Sequence, residues 1–220
     1  MIITIDGPAG AGKSSVARAL AERMGFRFLD TGAMYRAVAL AGRLHGLDWD
    51  APDELARLAR KLDLRMVGQR VVLNGQDVTE ALRSSEVTAV TRYAADNPRV
   101  RAHLVELQRK LAGRDDVVTE GRDQGSVVFP DATCKIFLTA SPEERARRRL
   151  RDLQSQGEPV GFDEVLRAQQ QRDREDASRA VGPLVPAVDA VVVCTDGMTQ
   201  EQVVERLRDL AEEKHPTRRV

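Results

Sequence analysis

Eight residues near the start constrain this chain more than any other feature. Gly7-Pro8-Ala9-Gly10-Ala11-Gly12-Lys13-Ser14 fits the pattern G-x-x-x-x-G-K-[ST]. Before it, Ile2 to Asp6 forms a short apolar run ending in Asp6-Gly7, which reads as a buried strand and a turn. After it, Val16, Ala17, Leu20 and Ala21 recur at helical spacing up to about Met24. Strand, glycine-rich loop and helix in that order form the context in which this pattern wraps a phosphate. Glycines let backbone N–H groups turn inward, and the helix N-terminus adds partial positive charge. Lys13 reaches toward the β- and γ-phosphates of a nucleoside triphosphate, and Ser14 offers a hydroxyl to Mg²⁺. Gly7 to Ser14, with Ser15, are therefore the expected ATP-binding residues. The loop alone does not separate kinases from other nucleotide-binding proteins. No guanine-reading N/T-K-x-D sequence is present, which argues against a GTPase, and the short chain argues against a large ATPase machine.

The rest of the chain alternates between the two periodicities. Helices are expected from near Thr31, over 53–62, 86–95, 98–112, 142–154, 162–178 and 199–213. Core strands are expected at 117–119, 135–138 and 190–194. Alternating strands and helices imply an α/β fold, a parallel sheet covered by helices on both faces. Residues 63–83 differ. Leu64, Met66, Val71, Leu73 and Val78 lie among polar residues around Gly68 and Asn74-Gly75, which reads as a small antiparallel β insert. The tail from His215 is expected to be disordered, with Pro216 ending the last helix.

The 220 residues carry 34 basic and 34 acidic side chains, so bulk charge gives no case for a nucleic-acid or membrane partner. No apolar run approaches ~18 residues, and the chain starts on a strand pattern, so neither a membrane span nor a signal peptide is expected. Cys134 and Cys194 lie far apart in apolar stretches and read as buried thiols in a reducing cytoplasm. His45, His103 and His215 are scattered and read as non-catalytic.

Three further segments carry chemistry. Asp30-Thr31-Gly32-Ala33-Met34-Tyr35-Arg36 opens the second helix, with Thr31 as its expected N-cap. On this segment alone Arg36 is either a ligand-binding or an ordinary surface side chain. Glu120-Gly121-Arg122-Asp123-Gln124-Gly125 follows a core strand, and ligands of open α/β sheets bind beyond the carboxyl ends of strands. A tight turn with a local ion pair is the alternative. Arg172, Asp176 and Arg179 fall on one helix face. That pattern alone is equally a solvated helix. It follows an arginine-rich stretch including Arg145, Arg147, Arg148, Arg149 and Arg151, with Gly157 and Gly161 between, which together suit a closing cationic element.

Taken together, these segments resemble bacterial cytidylate kinase, of the nucleoside monophosphate kinase group. The resemblance rests on I-T-I-D-G-P-A-G-A-G-K-S-S at 3–15, D-T-G-A-M-Y-R at 30–36 and P-R-V-R at 98–101. It continues through E-G-R-D-Q-G-S-V-V-F-P at 120–130, K-I-F-L-T-A-S-P-E-E-R-A-R-R-R at 135–149, R-x-x-x-D-x-x-R at 172–179 and P-L-V-P-A-x-D-A at 183–190. It covers essentially the whole chain in order. It implies one P-loop kinase unit over 1–220, with a monophosphate-binding region at 31–112 that includes the insert at 63–83, and a short helical lid at 150–165.

The resemblance also implies roles. Arg101 and Asp123 would read cytosine, whose 4-amino donor suits a carboxylate and whose ring acceptors suit a guanidinium. Arg36, Arg122 and Arg179 would hold the acceptor phosphate, with Lys13 bridging. Arg172 and Asp176 would address the sugar hydroxyls, and Thr31 and Tyr35 would line the acceptor pocket. Arg145, Arg148 and Arg149 would neutralise charge from the lid side. Lys13, Arg122 and Arg179 are the catalytic set. Gln124, Ser126 and Arg92 depart from the family pattern, where an apolar residue, a Thr and a Ser are expected; Gln124 and Arg92 bear on base and sugar preference. The expected reaction is ATP plus CMP, with dCMP as a further acceptor, by direct in-line transfer with Mg²⁺ in a monomer. A P-loop kinase with another acceptor and a non-enzymatic nucleotide-dependent module are the rival expectations.

Overall fold

A computed structural model describes residues 1–155 and 157–215; Pro216 and the tail beyond it lie outside the described residues. In chain order the elements are β1 (Ile2–Asp6), α1 (Lys13–Met24), β2 (Arg27–Asp30), α2 (Thr31–Leu44), α3 (Pro52–Ala59), β3 (Leu64–Val67), β4 (Arg70–Leu73) and β5 (Gln76–Asp77). Then come a 3-10 turn (Ala81–Arg83), α4 (Ser85–Ala95), α5 (Pro98–Ala112), β6 (Val117–Gly121), a π-turn (Gln124–Val128), β7 (Cys134–Thr139), α6 (Pro142–Ser155), α7 (Phe162–Ser178), β8 (Val191–Cys194) and α8 (Gln200–Lys214). They fall into two units: Met1–Phe26 with the chain from Asp116 onward, and Arg27–Asp115.

The first unit holds four parallel strands, in the order β6-β1-β7-β8. β1 is central because both of its faces can be buried: Ile3, Thr4 and Ile5 are fully inaccessible. It pairs in parallel with β6 on one side, Ile2 opposite Val117 through Asp6 opposite Gly121, and with β7 on the other. Parallel registration brings Asp6, Glu120 and Gly121 to the same end of the sheet. α1 lays Val16, Ala17, Leu20 and Ala21 inward, as the spacing predicts, and ends on Gly25 in a left-handed conformation. β8 has β7 as its sheet neighbour and lies at the end of the strand order. Its burial alternates incompletely, and Cys194 is exposed while Cys134 is buried. The expectation that both thiols are buried is thus corrected: the edge position, not the apolar sequence, decides Cys194.

The second unit begins with β2, a strand that the sequence pattern did not reveal. It runs straight into α2 with no turn residue between them. The N-cap of α2 is Asp30, whose carboxylate accepts the Ala33 N–H at 2.9 Å, and Thr31 is the first helical residue. This corrects the assignment of Thr31 as cap: a carboxylate one residue earlier competes for the same orphan N–H groups. Residues 64–77 form an antiparallel sheet in the order β3-β4-β5. Asn74 and Gly75 join its last two strands with φ of 49° and 83°, both left-handed, as a tight type I′ turn requires. Asn97 caps α5 by accepting from Arg99 and Val100 N–H, and donates to the Pro52 carbonyl at the start of α3. Among the described residues no helix is long and apolar enough to cross a membrane.

Candidate active site

The glycine-rich loop leaves β1 and enters α1 at Lys13. Gly7, Gly10 and Gly12 have φ of 147°, 78° and 86°. At Gly7 a second constraint joins the backbone: an added Cβ would lie 1.9 Å from the Leu138 carbonyl oxygen of β7. Gly7→Ala is therefore expected to lower stability by at least about 2 kcal/mol, since backbone rather than a mobile side chain must move. Urea unfolding of the purified variant measures this.

Lys13 is buried, and its ammonium donates to the Pro8 carbonyl at 2.8 Å, holding the loop on itself. Burial, then the nearby Arg122, pull its pKa down to about 7, with Glu120 and Asp6 opposing. A cation held this way has strong reason to meet an anion. Ser14 is exposed, and its hydroxyl donates to the Glu120 carboxylate at 3.1 Å. Glu120 is buried at the end of β6, beside the strand that carries the loop. A hydroxyl and a carboxylate are hard oxygen donors and fit Mg²⁺.

Asp6 does different work. Its two carboxylate oxygens accept the Gln124 and Gly125 N–H groups, each at 2.8 Å, and so fasten the start of the π-turn to the end of β1. That fixes the start of the turn, directly after Arg122 and Asp123. Gln124 is itself buried, and its side-chain oxygen accepts from the Thr119 hydroxyl at 2.9 Å. Burial raises the Asp6 carboxyl to about 6 against the pull of the two N–H groups; Asp123 adds to the rise and Lys13 opposes it. Between 3.8 and about 6 the folded protein keeps a proton there that the unfolded chain has released. The stability contributed by this group therefore falls as pH rises through that window, and is flat above it. Asp6→Asn is expected to flatten that fall, which urea unfolding at about pH 5 and about pH 7 would detect.

Arg122, between β6 and the turn, donates from Nε to Asp176 Oδ2 at 2.7 Å, and Arg179 Nη2 donates to Asp176 Oδ1 at 2.6 Å. One buried carboxylate of α7 thus gathers two guanidinium groups 57 residues apart in sequence. Burial works to raise the Asp176 pKa, but Arg122 and Arg179, helped by Arg172, outweigh it and hold the carboxyl below its ordinary value. Asp176 is ionised at neutral pH and fixes both arginines in direction. The spacing predicts Arg179 on the same helical face as Arg172 and Asp176, but α7 ends at Ser178 and Arg179 stands just past it in extended backbone; the three form a charge cluster, not a solvated stripe.

α6 and α7 form a helical hairpin with its own apolar contact through Ala146, Leu153 and Val165. Arg145, at its base, is buried and engaged by protein groups, the Ala9 and Ala140 carbonyls and Asp173. Arg148 pairs with Glu144 and donates to the Thr195 hydroxyl and carbonyl, each at 3.0 Å. Arg149 is half-buried on the same helix.

In the second unit Tyr35 is buried on α2, and the Arg101 guanidinium lies over its ring, 5.4 Å from the centroid. Arg101 is itself 3% exposed and donates to the Ala95 carbonyl at 3.1 Å, so its side chain is fixed in direction before any ligand arrives. Thr31 is buried and Arg36 half-buried on the same helix. Arg92 is exposed, stacked on the Tyr93 ring at 4.9 Å, and Tyr93 in turn stacks on Trp49.

The first unit therefore brings together Lys13, Ser14, Arg122, Asp123, Asp176, Arg179 and Arg172 around the ends of β1 and β6. Thr31, Tyr35, Arg36 and Arg101 belong to the second unit, where Tyr35 and Arg101 meet. Sequence reasoning overlooked the roles of Asp6, Glu120 and Asp173. An acid at or next to the end of a short, mostly apolar strand was the available signal for the first two.

A family model described as cytidylate kinase matches residues 3–213. A curated cytidylate kinase of Rhodopirellula baltica is 54% identical over 213 residues, covering 97% of this chain and 93% of that protein. Another, of Desulfitobacterium hafniense, is 47% identical over 218 residues, covering 98% and 94%. Among solved structures, shikimate kinase from Bacteroides thetaiotaomicron superposes with a TM-score of 0.50 at 16% identity, covering 96% of this chain and 98% of that one, a likeness of fold alone.

Proposed function

The chain belongs to the cytidylate kinase family, and from that premise we propose that it transfers the γ-phosphate of ATP to CMP, yielding ADP and CDP, with dCMP as a second acceptor. The observation that carries the reading is the shared carboxylate: Asp176 holds Arg122 and Arg179 in the same unit as the phosphate loop. A loop for a triphosphate and a prepared pair of guanidinium groups for a second phosphate are what a nucleotide-to-nucleotide transfer needs.

The donor side follows from the loop. Backbone N–H groups of Gly7 to Ser14 and the N-terminus of α1 would hold the triphosphate, with Ser15 continuing the helix. Lys13 would leave the Pro8 carbonyl for the β- and γ-phosphates. Ser14 and Glu120 would hold Mg²⁺, which when bound offsets charge on the phosphate oxygens. On the acceptor side Arg36, Arg122 and Arg179 would grip the CMP phosphate. Arg172 and Asp176 would meet the sugar, and Thr31 and Tyr35 would line the pocket. The acceptor phosphate is itself a good nucleophile near neutral pH, so the protein need not supply a strong base. In-line attack on the γ-phosphorus breaks its bond to the β-γ bridging oxygen, and ADP keeps that oxygen. Catalysis is then alignment and charge neutralisation by Lys13, Arg122 and Arg179.

Arg101 and Asp123 would read the base. The carboxylate accepts from the 4-amino group and the guanidinium donates to the ring acceptors. Uracil reverses the donor at position 4 and adds an N–H at position 3, opposing both. Stacking on Tyr35 and the bond to Ala95 support an Arg101 preset for this task. The lid, at 150–165, would close over the phosphates and limit hydrolysis by water. Arg149, and Arg148 once it leaves Thr195, would offset charge on the group in transit. We further read the protein as a cytoplasmic monomer whose partners are small nucleotides; free thiols at Cys134 and Cys194 suit a reducing compartment.

Incubation with ATP, Mg²⁺ and CMP followed by anion-exchange chromatography tests the reading. Appearance of CDP with an equal amount of ADP supports it. ADP formed at the same rate without CMP would refute it.

A further inference from the structure

Two acidic side chains of α7, one turn apart, hold different parts of the site. Asp176 gathers Arg122 and Arg179. Asp173, three residues earlier, pairs through Oδ2 with Arg145 Nη2 at 2.7 Å. Arg145 is only 4% exposed, and its other N–H groups reach two carbonyls: Nε donates to Ala140 at 3.1 Å, and Nη1 donates to Ala9, in the phosphate loop, at 3.0 Å. Gln169, one turn further back on α7, donates to the Arg145 carbonyl at 3.3 Å. The loop and the hairpin are in close contact: a Cβ added at Gly10 would lie 2.6 Å from Gln169 Nε2 and 3.1 Å from Arg145 Cβ.

One helix is therefore fastened to the donor loop at Asp173 and to the acceptor arginines at Asp176. A helix transmits a shift at one turn to the next, because its backbone hydrogen bonds fix the rise between them. A guanidinium buried with three partners is a stiff connector, since any displacement leaves a charged donor unpaired. Arg145, expected among the lid-side arginines, is bonded here to protein groups, Ala9, Ala140 and Asp173.

We propose that Asp173 is a positioning residue through which α7 holds the phosphate loop and the Arg122–Asp176–Arg179 cluster in one arrangement, so that filling the donor site tightens binding at the acceptor site. This rests on the reading of Arg122 and Arg179 as the grip on the acceptor phosphate. By reciprocity, an acceptor tightens the donor by the same factor.

The test is calorimetric titration of CMP into the protein, alone and with saturating Mg²⁺ and a non-hydrolysable ATP analogue carrying a β-γ imido bridge. Wild-type protein is expected to bind CMP about tenfold more tightly with the analogue present. In Asp173→Asn that factor should fall below about two, with each nucleotide alone binding within about threefold of wild type. A purely structural role would weaken both ligands or neither and leave the factor unchanged, which overturns the proposal, as does a wild-type factor near one. Should Asp173→Asn fail to fold, Arg145→Lys carries the same test. It keeps a cation near Ala9 but loses the fork that spans to Asp173, and an unchanged factor there also overturns the proposal. Wild-type protein that binds the analogue but not CMP would overturn the acceptor reading itself, and this inference with it.

Discussion

Asp123→Asn is expected to narrow the preference for CMP over UMP by about two orders of magnitude in kcat/KM. Asp123 is 3% exposed and caps a turn whose first two residues are held by N–H bonds to Asp6, so its carboxylate has little freedom to adapt to a different base. A carboxylate oxygen only accepts hydrogen bonds. Under the proposed reading it would satisfy the 4-amino group of cytosine and would face the 4-carbonyl of uracil without a donor between them. A buried mismatch of that kind leaves two acceptors unpaired and is heavily penalised. Asn offers both an acceptor and a donor by rotation of its amide, so it tolerates either base. The loss should therefore come from a fall in CMP efficiency together with a rise in UMP efficiency. Initial rates for both acceptors at saturating ATP measure it. A variant that loses CMP and UMP turnover in equal proportion would show that Asp123 supports the fold and does not read the base.

Lys13→Met should reduce kcat by about 10²- to 10³-fold while leaving the KM for CMP within about threefold. The ammonium is buried, and in so dry a setting a fixed charge acts on developing negative charge with little screening. Met keeps the length and apolar stem but cannot donate. The same variant should be no less stable than wild type in thermal unfolding. Burial beside Arg122 already disfavours the Lys13 cation, and its removal relieves that penalty. Loss of activity without loss of stability separates a catalytic charge from a structural one. Loss of both in parallel would contradict the assignment.

What was legible in the sequence is what is encoded locally. The phosphate loop needs glycines at fixed positions with a strand before and a helix after, and all three are contiguous between Ile2 and Met24. The Asn74-Gly75 turn is likewise readable, because few residue pairs tolerate two left-handed conformations in succession. Features set by strand order were not. Cys194 is exposed because β8 lies at the end of the sheet order, and Val191–Cys194 reads the same whether central or peripheral. β2 escaped notice because Arg27–Asp30 is short, half polar and unseparated from α2. The site showed the same division. Lys13, Arg122, Asp123, Asp176 and Arg179 stand out as residue types in motifs. The link from Asp6 to residue 124, 118 positions away, and the latch between Ala9, Arg145 and Asp173 arise only once parallel pairing and the helical hairpin have formed.

The most direct measurement is a coupled ADP-release assay with Mg²⁺, ATP and, in separate reactions, CMP, dCMP, UMP, AMP and GMP. Transfer to a cytidine acceptor predicts kcat/KM for CMP or dCMP above UMP by at least about 10²-fold, with AMP and GMP lower still. Equal turnover of UMP would keep the phosphate transfer and refute base reading by Arg101 and Asp123. ATP bound by folded protein with no acceptor-dependent ADP release would contradict the kinase reading outright.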